Sequence, residues 1–187
     1  MPGASRPVSP AAQAAVPQAH HPHRAIKMRN FVAEWIQEGK LCVWRYADAG
    51  RHWRGWQWSA DATACRSLRN LLDRMHGGEA CHRTLKLEPA TEKVLWIAGY
   101  RRPALGCFAR LRIAYEPGFM ELRIEPEEDM LVLTVGGHRL RTLTAALAEL
   151  EAGSDDFGIQ PSSERKSDPW MFWTMPVARQ KVTETST

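Results

Sequence analysis

Cys81 and His82 put a thiol directly beside an imidazole, with His76 a few positions upstream. A thiol with a neighbouring base is the raw material of a cysteine nucleophile, and thiols and imidazoles are the donors zinc prefers. The other cysteines, Cys42, Cys65 and Cys107, do not extend that site, because successive spacings of 23, 16 and 26 contain no C-x-x-C pair. Such spacing suits neither a zinc ribbon nor a redox motif. Reduced, buried thiols and no metal are expected, and a Cys-dependent enzyme built on Cys81 and His82 is the second alternative reading. No phosphate-binding loop, dinucleotide fingerprint, hydrolase elbow or zincin helix occurs in the chain, so no cofactor is expected.

The stretch RHWRGWQWS, residues 51–59, interleaves indoles with guanidinium groups. Bases stack on exposed indoles and phosphates pair with arginine, so the type of pattern points to nucleic acid. In a strand, Trp56 and Trp58 share a face, and that face reads as interior. Trp53, between Arg51 and Arg54 near a hairpin tip, is left as the exposed aromatic. Nucleic-acid binding through Arg51, Trp53 and Arg54 is therefore the first alternative function. A second cationic candidate is the start of a later helix, where Arg139 and Arg141 stand among free amides and could hold an anion. The run DPWMFWTMP, residues 168–176, is apolar on both faces of a strand. It belongs at the centre of a sheet, or at an edge that expects a partner, in which case Trp170, Phe172 and Trp173 would anchor a protein interface.

These residues need elements to position them, and the clearest organisation is an echo at a constant offset of 75. Aligning WQWSADATACRSLRNLLDRMHGG (56–78) with LVLTVGGHRLRTLTAALAELEAG (131–153) matches Arg66 to Arg141, Leu68 to Leu143, Leu72 to Leu147 and Gly78 to Gly153 without a gap. Each copy reads as an alternating strand, a polar break, an amphipathic helix and a closing glycine. Cys65, Leu68, Leu71, Leu72 and Met75 form the first apolar stripe, and Leu140, Leu143, Leu147 and Leu150 the second. Ser59 or Asp61 can cap the first helix, and Gly77-Gly78 can close it in a left-handed conformation.

Other strands follow from alternation: Leu41 to Tyr46 with His52 to Trp58 across an Asp/Gly loop, then Leu111 to Tyr115 and Met120 to Ile124 around Glu116-Pro117-Gly118-Phe119. The last two read as a hairpin that opposes Leu111 to Ile124, Ile113 to Leu122 and Tyr115 to Met120. Phe31 to Gln37 fits a strand and a helical stripe equally well. Met130 to Val135, Phe157 to Ile159 and Trp170 to Met175 complete the set.

The formal charge of +4 is located in the N-terminal tail. Residues 1–33 hold four of the 25 Lys and Arg and none of the 21 Asp and Glu, so the remainder is neutral. That remainder is two-sided: Lys40 to Arg112 has fourteen basic and six acidic residues, and Ile113 to Ile159 has three basic and ten acidic. Such polarity either steers a partner or docks one half on the other, and internal docking needs no partner.

Residues 1–28, rich in Ala and Pro with His20, His21 and His23, cannot sustain a helix or a core and read as a disordered tail. No apolar run approaches the length of a membrane span, and no secretory h-region is present, so a cytoplasmic location is expected. The expectation is one α+β domain over 29–177, with a frayed tail over 178–187. It is a mostly antiparallel sheet built from two loosely similar β-β-α-β halves, about 41–87 and 111–160, with both helices packed on the sheet. The function expected is a non-enzymatic protein-binding or regulatory module, of the adaptor or immunity type, with another protein as partner and no membrane.

Overall fold

The runs around Trp58 and Leu133 each lead into a long helix at the predicted offset. Strand β2 (Gln57–Ala60) precedes α1 (Ala62–Met75), and β6 (Met130–Val135) precedes α3 (Gly137–Glu151), so the two helices begin 75 residues apart. In this computed structural model, residues 31–176 are described, apart from 51, 52, 98, 100–102, 107, 155, 156, 165 and 166. The tails predicted to be disordered or frayed, with the three tail histidines, lie outside the described residues, as do Arg51 and Cys107.

The remaining elements are β1 (Leu41–Trp44), β3 (Cys81–Lys86), a single helical turn α2 (Glu92–Leu95), β4 (Arg110–Tyr115), β5 (Leu122–Glu127), β7 (Phe157–Ile159) and β8 (Trp170–Thr174). They form two mixed four-stranded sheets, in the orders β1-β2-β8-β7 and β3-β4-β6-β5. Each sheet is two antiparallel pairs joined by one parallel ladder, β2 with β8 and β4 with β6. The fold is thus α+β and mostly antiparallel, but with two sheets where the sequence suggested one.

The repeat explains the layout. After α1 the chain leaves the first sheet and builds β3 and β4 into the second; after α3 it leaves the second and builds β7 and β8 into the first. Each half is therefore β-β-α-β-β, and the halves exchange their closing strands. One rung across the first sheet runs Val43, Trp58, Phe172, Phe157. Its counterpart in the second runs Ile124, Leu133, Ile113, Arg83.

Both sheets turn one face toward the two helices, and those faces merge into one core. Trp56, Trp58, Leu68, Leu72, Leu111, Ile113, Leu131, Leu133, Leu143 and Leu147 all belong to it. Trp58 is 1% exposed and lies against Phe172 at 5.8 Å and Trp170 at 5.9 Å between ring centroids. Burying an indole to this degree contributes roughly 2 to 3 kcal/mol.

Local chemistry fixes the helix ends. Asp61 caps α1, its Oδ1 accepting from Ala64 N at 2.7 Å while Oδ2 accepts from Lys40 N at 3.0 Å. Ser59, the other candidate cap, is a buried strand residue. Gly77 and Gly153 follow the two helices with φ of +75° and +91°, conformations that glycine adopts without strain.

The predicted hairpin is not formed. Glu116 to Phe119 do make the tight turn, with Phe119 N donating to Glu116 O at 2.9 Å, but β6 lies between β4 and β5. Leu111 faces Leu131 and Ile113 faces Leu133, in parallel, and Met120 is exposed before β5 begins. The physical reason lies in the strands. β6 carries apolar side chains on both faces and suits the interior of a sheet, whereas β5 contains Pro126, which has no N–H to donate and belongs at an edge. Residues 31–37, which fit both patterns, form a short helical turn over 31–33 and then extend, burying Val32 and Trp35 and leaving Ile36 exposed.

Candidate binding surfaces

The two halves dock through their opposite charges. Glu151 at the end of α3 accepts from Arg66 Nε at 2.9 Å and Arg69 Nη1 at 2.6 Å, both on α1. Arg110 pairs with Asp129 at 2.7 Å, and Arg112 with Glu127 at 3.7 Å. Each of these joins the basic segment to the acidic one. Partial burial works against ionisation of Glu151, but the two arginine hydrogen bonds and their charge outweigh it and hold its carboxyl below the ordinary value.

The aromatic candidates are absorbed by the first sheet. β8 is an interior strand, and Trp170, Phe172 and Trp173 are all buried. They are unavailable as surface anchors, because a run apolar on both faces takes the centre. Trp53 is half-buried and stacks on Trp173, with centroids 5.9 Å apart and planes at 30°. Trp173 Nε1 in turn donates to Gln57 Oε1 at 3.0 Å. Arg54 is exposed, and its carbonyl accepts from Arg45 Nε at 3.0 Å. The stacking platform expected at 51–54 is thus replaced by an indole pair over the first sheet's outer face. A small second core covers that face, where Cys42, Trp44, Tyr46 and Trp173 meet Val94 of α2 and Ala104.

The α3 N-terminus is likewise occupied by its own chain. Arg139 donates to the carbonyls of Met120 and Gln160, each at 3.3 Å. Gly136, the N-cap, sits so close to the 116–119 turn that an added Cβ would lie 1.6 Å from Phe119 O. Arg141, two residues beyond Arg139, is exposed. The basic charge of Arg139 in the first turn thus anchors the 116–121 turn and the loop after β7 to the helix.

The thiol–imidazole pair is separated by strand geometry. In β3, Cys81 opposes Tyr115 on the core side, whereas His82 opposes Ala114 on the outer side. Adjacent strand residues point to opposite faces, so this imidazole cannot serve this thiol. Burial first, and the charge of Glu88, push the Cys42 thiol up to about 12. Burial likewise takes Cys65 to about 12, with Glu151 and Asp61 adding to it. Such thiols are inert at neutral pH. Among the described residues no three His, Cys, Asp or Glu side chains cluster as a metal site requires.

Two surfaces remain that the sequence did not single out. On the outer face of the second sheet the flanking charged side chains are exposed, with Met130 and Thr134 of β6 buried among them, and the register sets side chains in columns. His82, Thr84 and Lys86 lie on β3, Arg110 and Arg112 on β4, and Glu125 and Glu127 on β5. The β3 and β4 side is thus basic, while the β5 side carries two carboxylates with Arg123 beside them, its Nε 3.4 Å from Glu125. The second surface is a cleft of about 210 Å³ beside β1, lined by Val43, Trp44, Leu87, Glu88, Pro89 and Phe108 among others.

Comparison with protein families, with curated proteins and with solved structures finds no match for this chain. Among the described residues no helix is long and apolar enough to cross a membrane.

Proposed function

We propose that the protein is a cytoplasmic, non-enzymatic protein-binding or regulatory module, of the adaptor or immunity type, and that it docks its partner on the outer face of the second sheet. The observation that carries this reading is the broken symmetry of the two sheets. The chain folds its own residues, including Val94 and Ala104, over the outer face of the first sheet, and on the equivalent face of the second the charged side chains of β4 and β5 are exposed. That face supports a partner of defined chemistry: carboxylates to meet Lys86 and Arg110, and basic groups to meet Glu125 and Glu127. The exposed pairs Arg110–Asp129 and Arg112–Glu127 are individually worth little, so exchanging them for a partner's charges costs little. A phosphate backbone fits this face poorly, because Glu125, Glu127 and Asp129 repel it and no aromatic side chain on it offers a base a stacking surface.

The test compares three immobilised forms of the full chain in native lysate: wild type, Lys86→Glu/Glu125→Lys, and Arg141→Glu on exposed α3. A protein retained by wild type and Arg141→Glu but lost by the charge swap, and confirmed with purified components to bind the swap at least tenfold more weakly, supports the reading. Partners indifferent to the swap contradict it. Self-association abolished by the swap assigns the face to a second copy instead.

A further inference from the structure

The cleft beside β1 adjoins the Lys86–Arg110 end of the proposed docking face but has a chemistry of its own. Three separate segments build it: Val43 and Trp44 from β1, Leu87 to Ala90 after β3, and Gly106 to Ala109 before β4. Backbone hydrogen bonds hold those segments together, Glu88 N donating to Leu41 O at 2.7 Å and Leu87 N to Ala109 O at 2.9 Å. Gly106, at φ +77°, takes a conformation that lets the Phe108 ring close over it, where an added Cβ would stand 3.2 Å from the ring. The lining is mainly apolar, with Trp44 and Leu87 buried and Phe108 half-buried.

Glu88 is the one charged group among the described residues of that lining. Its side chain is half-buried and makes no hydrogen bond or ion pair with a described residue. Among the described cations of the flanking segments, Lys86 is exposed on the outer face of the second sheet, and two others are committed elsewhere. Arg45 lies over the Trp56 ring at 5.4 Å and donates to Arg54 O, and Arg110 pairs with Asp129. An unpaired carboxylate at the mouth of an apolar, aromatic-walled cleft favours a cation that carries its own apolar body.

We propose that this cleft binds a small organic ammonium ion, its charged nitrogen on the Glu88 carboxylate and its hydrocarbon part against Phe108, Leu87 and Pro89. The volume admits a body the size of one aromatic ring with a short alkyl arm.

The probe is phenethylammonium, titrated into the full chain and followed by amide chemical shifts. Binding is expected with a dissociation constant on the order of millimolar, appropriate to about nine heavy atoms. Shifts should centre on Val43, Leu87, Glu88 and Ala109. On wild-type protein the neutral analogue 2-phenylethanol should bind about tenfold more weakly, and Glu88→Gln should weaken phenethylammonium by about the same factor while leaving the alcohol unchanged. Parallel titration with N-acetyl-lysine methylamide separates two sources of the same chemistry: equal binding indicates a protein lysine, weaker binding a free amine. Equal affinity for ammonium and alcohol, no shifts at tens of millimolar, or shifts centred elsewhere would overturn the assignment, and none of these depends on the variant folding.

Discussion

Replacing Trp58 with alanine tests whether the aromatic segment belongs to the interior. The ring is 1% exposed and packs between Trp170 and Phe172. Its transfer term is roughly 2 to 3 kcal/mol, and each lost aromatic pair adds about 0.5 to 1.5 kcal/mol. One feature works the other way: Trp58 Nε1 is buried without a hydrogen-bond partner, so truncation also removes an unsatisfied donor. The net cost of Trp58→Ala is expected at about 3 to 4 kcal/mol, in the ordinary range for a buried tryptophan. Trp58→Phe keeps the stacking and loses the orphan N–H, and should stay within about 1 kcal/mol of wild type. In urea unfolding with a slope of about 2 kcal/mol/M, the alanine variant's midpoint should fall by about 1.5 to 2 M with the slope unchanged. A loss below about 1 kcal/mol for Trp58→Ala would refute the burial argument, because an indole lying on the surface costs little to remove.

Glu151→Gln should destabilise by about 1 kcal/mol at neutral pH, since the carboxylate holds two arginines across the half-to-half contact. Its folded value is depressed, so its stabilisation is present above the unfolded value and is lost as pH falls through the folded one. Urea midpoints of wild type and variant should therefore stay separated down to about pH 5 and converge below the ordinary glutamate range near 4.3. Gly136→Ala should cost more than about 2 kcal/mol by thermal unfolding, because its Cβ would meet Phe119 O at 1.6 Å, whereas Gly118→Ala, with open space around it, should be near neutral.

The sequence carried the local and periodic features of this fold and not its partner choices. Leucine spacing located both helices, Asp61 declared itself as a cap, and the shared offset placed Trp58 where Leu133 stands. Alternation also set the inward faces of β4 and β5 correctly. What alternation cannot encode is which strand lies alongside: Leu111 and Ile124 do share the core, yet β6 separates them. Pro126 and the two-faced MLVLTV run were the available hints, the first marking an edge and the second a centre.

The site was less legible still. Trp53 looked exposed because its cover, Trp173, comes from the far end of the chain. The cleft draws on three distant segments, so no contiguous motif announces it. Cys81 and His82 are neighbours in sequence, and the strand itself keeps them on opposite faces.

Cross-strand amide and Hα contacts measured by NMR test the exchanged-strand architecture most directly. Parallel ladders joining Trp58 to Phe172 and Ile113 to Leu133 are the expected result. An antiparallel ladder running directly between 111–115 and 120–124, with no contact from Ile113 to Leu133, would contradict it.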